Sequence, residues 1–150
     1  MNQTNMTLWQ VIDALVQTLP LSKQMVETIL STQLVEYEDA NPFFHFFKFQ
    51  SPPVALTEGV VILDVDLRIS KRGHHPGLLG LKIDGACVTL DQIRARYDQL
   101  KVTGSPRGGS LDEQRSYSQY LPWGELAFGF AERNPRCLAS IAFHPKKDTA

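Results

Sequence analysis

Apolar residues recur along the chain at two spacings, one helical and one alternating, and the points where one gives way to the other divide the sequence into elements. Leu8, Val11, Ile12, Leu15, Val16 and Leu19 follow the spacing of an amphipathic helix, opened by the capping-box pair Thr7 and Gln10 and closed by Pro20. Ser22 is the N-cap expected for a second short helix, with Met25, Val26, Ile29 and Leu30 as its apolar stripe. The period then changes to two. Gln33–Tyr37 and Phe43–Phe49, joined by the turn-prone stretch Glu38–Pro42, read as a hairpin. In its second strand Phe43, Phe47 and Phe49 point one way and Phe44 and Phe46 the other, so this strand is expected to be covered on both sides.

Ser51-Pro52-Pro53 cannot lie inside a sheet and marks a connection. Beyond it the alternation is at its clearest, with Val61, Leu63, Val65, Leu67 and Ile69 expected to face inward and Ile62, Asp64, Asp66, Arg68 and Ser70 outward. After the loop 71–77, Leu79, Leu81 and Ile83 alternate with Lys82 and Asp84 in an antiparallel partner strand. A second capping box, Thr89 with Gln92, starts a third helix whose Leu90, Ile93, Tyr97 and Leu100 share one face. Residues 101–118 read as a long polar loop, which in a compact domain is usually functional. Leu126, Phe128 and Phe130, the turn Glu132–Arg136, and Cys137, Ala139, Ile141 and Phe143 make a closing hairpin, with Trp123 anchoring its start.

The expected fold is therefore α+β: an antiparallel β-sheet of hairpins, with two N-terminal helices and one helix packed on the sheet. A chain of 150 residues fits a single domain, helical over 1–31, a sheet with one inserted helix over 33–145, and a frayed tail over 146–150.

Composition adds few constraints. An apolar fraction of 43% and a charged fraction of 21% are those of an ordinary globular protein. The net charge of −1 argues against nucleic acid as a partner, because phosphate binding needs clustered Lys and Arg. Residues 1–60 hold six acids and two bases, and 61–150 hold ten acids and thirteen bases, so the halves carry opposite charge. No basic start followed by an apolar core marks an export signal, and no run approaches a membrane span. These features place the protein in the cytoplasm, away from membranes, with Cys87 and Cys137 as reduced, buried thiols.

The candidate chemistry does not assemble into an active site. His74 and His75 diverge in extended chain and lie away from Asp64 and Asp66, so no metal is expected. Asp64 and Asp66 share a strand face at about 7 Å, near the spacing of paired acid catalysts, but no desolvating pocket is foreseen around them. Cys137 and His144 fall on opposite faces of one strand, which rules out a thiol–imidazole pair. The loop Gly104–Ser110 lacks the Gly-Lys-Ser/Thr ending of a phosphate cradle. No catalytic residue and no cofactor is expected.

Ser105-Pro106-Arg107-Gly108-Gly109-Ser110-Leu111-Asp112-Glu113, followed by Trp123-Gly124-Glu125-Leu126-Ala127-Phe128-Gly129-Phe130-Ala131-Glu132 and Pro135-Arg136-Cys137-Leu138-Ala139-Ser140, resembles small bacterial immunity proteins of type VI secretion and related polymorphic-toxin systems. The resemblance covers mainly residues 60–145. It implies a protein that occupies the catalytic cleft of a cognate secreted antibacterial toxin, acting by steric cover and a few anchoring side chains. On that reading Arg107, Asp112, Glu113 and Arg115 are the expected partner-binding residues, with Glu36, Tyr37, Glu38 and Asp39 of the first hairpin as the acidic alternative. Two rivals stand beside it: a secretion chaperone exposing the aromatic strand 43–49, and a small hydrolase using Asp64 and Asp66.

Overall fold

The computed structural model describes residues 2–38 and 40–147, and the α+β class holds. The chain enters through a two-residue strand, β1 (Asn2–Gln3), and continues into α1 (Leu8–Gln17). The capping box closes as the sequence indicates: the Gln10 N–H donates to Thr7 Oγ1 at 3.1 Å and the Thr7 N–H to Gln10 Oε1 at 2.8 Å. Ser22 caps α2 (Lys23–Leu30) by accepting the Met25 N–H at 3.2 Å, and Ser31 ends the helix in the left-handed region at φ 52°. Leu8, Val11, Ile12 and Leu15 of α1 and Val26 and Leu30 of α2 are buried. Met25, assigned to the apolar stripe, lies instead on the exposed side.

The strands that follow are β2 (Leu34–Glu38), β3 (Phe44–Phe49), β4 (Val54–Ala55), β5 (Val60–Ser70) and β6 (Leu78–Gly85). After α3 (Leu90–Arg94) come β7 (Lys101–Gly104), β8 (Gln114–Leu121), β9 (Gly124–Ala131) and β10 (Ser140–Pro145). Among the described residues these form one sheet in the order β1-β4-β5-β6-β10-β9-β8-β7. The eleven-residue β5 has two neighbours on one flank, β4 along its first residues and β3 along its last, and β2 pairs only with β3. Every pairing is antiparallel except that of β1 with β4.

Five expectations need correction. The β5 ladder shifts register between Ile62 and Asp64, and a bulge of this kind turns the strand over. Val60 and Ile62 are consequently buried before it and Val65 and Leu67 after it, while Val61 and Leu63 leave the core. The segment 101–118 is not one loop, since β7 and the start of β8 occupy both its ends and leave 105–113 as a hairpin connection. The third helix ends at Arg94, and Tyr97 and Leu100 pack against the core from the turns beyond it. Neither terminus behaves as expected: Asn2–Gln3 joins the sheet, and the Lys146 N–H donates to Trp123 O at 2.9 Å. The remaining tail residues, 148–150, lie outside the described residues. Lastly, the cysteines are not thiols. Cys87 and Cys137 form a disulfide, with their Cα atoms 4.9 Å apart, and Cys87 is exposed.

The core is a single cluster beneath one face of the sheet. Leu79, Leu81 and Ile83 of β6, Leu126, Phe128 and Phe130 of β9, and Ile141 and Phe143 of β10 meet the buried stripes of the helices there. Each such side chain contributes about 1.5–3 kcal/mol when fully buried, whereas an exposed ion pair contributes about 0–1 kcal/mol, so this face carries the fold. Trp123 stacks on Phe143 at 6.2 Å between ring centres and is partly buried, in keeping with an anchoring role.

The disulfide closes a loop of 50 residues, and a crosslink of that span restricts the unfolded chain. Replacing both cysteines (C87S with C137S) is expected to lower unfolding stability by about 2–4 kcal/mol in urea titrations while leaving the native circular dichroism unchanged.

Candidate partner-binding surface

The hairpin connection 105–113 is polar, yet its shape is set from within. Glu113 turns its carboxylate back into the loop, accepting the Arg107 N–H at 2.6 Å and the Gly109 N–H at 2.7 Å. Gly108 takes a positive φ of 84° in that turn, a conformation that suits glycine. A second set of contacts ties the loop to the turn between β9 and β10. The Arg133 N–H donates to Leu111 O at 2.8 Å, the Glu132 N–H to Glu113 O at 2.9 Å, and the Arg133 guanidinium meets Asp112 at 3.1 Å. Asp112 and Glu113 therefore build the loop, while Arg107 projects from it as an exposed residue and Arg115 is exposed on β8.

The acidic alternative in the first hairpin is divided between two neighbourhoods. Glu36 sits 2.6 Å from His45 Nδ1, whereas the Tyr37 ring meets Phe46 edge-on at 6.0 Å, with Lys48 Nζ 5.3 Å from its centre. Glu38 ends β2, and Asp39 lies outside the described residues. Phe46 in turn carries Arg68 over its face at 4.9 Å, and Arg68 is paired with Asp66 at 3.1 Å. Tyr37, Phe46, Arg68 and Asp66 thus form a continuous aromatic and charged ridge across β2, β3 and β5. The strand 43–49 is covered only in part: Phe47 and Phe49 are buried, Phe44 and Phe46 half-buried, and Phe43 is 60% exposed.

Beside this ridge the outer face of the sheet is concave. Register places Asp66 opposite Gly80, Gly80 opposite Ala142, Ala142 opposite Ala127 and Ala127 opposite Ser118, a row in which small side chains cross the central strands. The cleft above β5, β6 and β10 encloses about 840 Å³, with Asp64, Asp66, Asp84 and Asp112 on its margin and Lys82 as the basic residue among them. One side is closed by Gln114, whose Oε1 accepts the Ser140 hydroxyl at 2.6 Å across β9. That bridge needs Gly129 beneath it, because a Cβ there would collide with both Gln114 Oε1 and Ser140 Oγ.

Within this cleft Asp64 is exposed and the Asp66 side chain is 46% exposed, so the cleft is open to solvent around both. Both line the cleft, although Asp66 is engaged by Arg68 and Asp64 accepts the Val65 N–H at 2.8 Å. His75 accepts the Gly77 N–H at 3.0 Å and rests edge-on against Phe44; desolvation, then the charge of Lys147, lowers its pKa. No group of three or more His, Cys, Asp or Glu is placed to hold a metal ion, and no helix is long and apolar enough to cross a membrane, among the described residues.

The sequence missed Arg133, Arg68 and Gln114 as organising residues. A glycine inside an otherwise regular strand, Gly129, was the one signal that two neighbours met across it. Comparison of the chain with protein-family models, curated protein sequences and solved structures yields no match.

The Glu113 contacts have a pH signature. The Arg107 N–H, opposed by desolvation and aided by the Gly109 and Ser110 N–H groups, holds the Glu113 carboxyl below the usual glutamate range. With the folded pKa depressed, the carboxylate's hold on the loop is complete above the ordinary glutamate range and is lost as pH falls through the lowered folded value. Amide exchange at Arg107 and Gly109, followed by NMR after correction for intrinsic rates, is expected to quicken in acid. The variant E113Q should show the same fast exchange already at neutral pH.

Proposed function

We propose that the chain is an immunity protein, which binds a cognate secreted antibacterial toxin and neutralises it by covering its active site. The observation that carries this reading is the pairing of a preorganised polar loop, 105–113, with an open, acidic sheet face that it borders through Asp112. A loop already held by Glu113 and Arg133 loses little conformational freedom on docking, which favours affinity. Arg107 and Arg115 are suited to anchoring contacts, and the acidic margin of the cleft suits a basic partner surface and fast encounter.

The disulfide bears on where this happens. The cytoplasmic placement implied reduced thiols, and a Cys87–Cys137 bond fits an oxidising compartment instead. The proposal is accordingly a protein guarding against a toxin that acts outside the cytosol.

One observation favours a different reading. Phe43 is 60% and Tyr37 48% exposed on the first hairpin, as a secretion chaperone holding an apolar effector segment would require. Strong binding of a hydrophobic dye by the native protein would support the chaperone.

The deciding experiment uses the product of the adjacent open reading frame. The purified proteins are expected to form a complex that abolishes the partner's toxicity. R107E should weaken the complex about tenfold or more, with a melting temperature unchanged within error, since exposed substitutions of this kind shift stability by about 0.5 kcal/mol or less. An unchanged affinity would remove the 105–113 loop from the interface. Turnover of a substrate by this chain alone, lost in D64N, would replace the inhibitor with the hydrolase.

A further inference from the structure

Three hydrogen-bonded segments separate the disulfide from the loop proposed to bind, and each rests on the next. Cys137 is fastened to Cys87, and the neighbouring Leu138 N–H donates to Val88 O at 2.8 Å, so the end of the β9–β10 connection is pinned to the β6–α3 connection. The same connection is folded on itself by the Cys137 N–H to Asn134 O at 3.3 Å and the Asn134 N–H to Ala131 O at 3.0 Å. Its other side carries Glu132 and Arg133, whose contacts with Leu111, Asp112 and Glu113 hold the 105–113 loop. Apart from these contacts, the loop is shaped chiefly by its own Glu113 carboxylate.

We propose that the Cys87–Cys137 bond is a redox control on this loop: the oxidised protein displays it in the binding shape, and the reduced protein does not. Cys87 is the exposed partner, so a dithiol reductant attacks its sulfur, forms a mixed disulfide and releases Cys137 as a thiolate. The reductant's second thiol then displaces Cys87 and leaves as a disulfide, having delivered two electrons; the protein retains two thiols after protonation. Val88 and Leu138, the neighbours of the two cysteines, belong to the core and keep their packing, whereas the 132–138 connection loses its only covalent tie among the described residues and the latch on 105–113 loosens. The consequence for binding rests on the immunity reading. It makes the protein competent only where its disulfide has formed.

The test separates the two halves. Two-dimensional amide NMR of the whole protein, before and after dithiothreitol, is expected to show Arg107, Gly109, Glu113 and Arg133 shifting or broadening while Phe46 and Leu67 stay in place. R133A, with the disulfide intact, should move the same loop resonances. Unchanged loop resonances on reduction, or collapse of the whole spectrum to unfolded positions, would overturn the linkage. With the toxin partner, reduction is expected to weaken binding about tenfold or more. Equal affinity in both states, despite a loop that moves, would overturn the control of binding while leaving complex formation itself intact.

Discussion

Packing of α1, α2 and the turns after α3 against the inner side chains of β6, β9 and β10 is the constraint to which the remaining structure is subordinate. Phe128, Phe143, Leu126, Ile141, Leu79 and Leu81 are almost completely removed from water in that layer. A slip of one residue in any of these strands would exchange the buried and exposed sets, so the register across the sheet centre is fixed by burial alone. The bulge in β5 fits this constraint. It preserves inward-facing apolar residues on both sides of the shift, at the cost of moving Leu63 out of the layer.

With the inner face committed to stability, the outer face is free to take a shape that a core would not tolerate. Gly80, Ala142 and Ala127 present little side chain in the middle of the sheet, and Gly129 lies beneath the Gln114–Ser140 bridge. Polar groups there are satisfied locally: Ser118, fully buried, meets the Thr103 hydroxyl at 2.7 Å, and Ser140 meets Gln114. The cleft and its acidic margin are therefore separable from the fold in energetic terms. So is the loop 105–113, which is kept in shape by a carboxylate and a guanidinium and not by apolar contacts.

Much of the architecture was legible from local pattern. Both capping boxes, the Ser22 cap and the alternations at 79–83 and 126–130 depend on neighbours in sequence, and each formed as the residues indicate. What escaped depends on neighbours in space. A bulge preserves the alternation on either side of itself, so Val61 and Leu63 looked like core. Cys87 and Cys137 could be read as a pair only once β6 and β10 were known to be adjacent. The site residues followed the same division. Asp112 and Glu113 were singled out for partner binding from the charge in their segment, whereas their contacts within the fold, with Arg133 and the loop's own amides, came from folding. Strands of four residues with exposed side chains, as in β7, leave no apolar alternation to detect.

The forked flank of β5 has a consequence for life at high concentration. By dividing its outer side between β3 and β4, the sheet ends there in strands of only five residues, β2, and two residues, β1, while the opposite margin ends in the four-residue β7. A neighbouring molecule thus encounters only short rows of unpaired amides, too brief to template a stacked ladder. The geometry offers resistance to self-association through strand edges in a molecule whose regular structure is mostly strand and which carries aromatic side chains close to one of those margins.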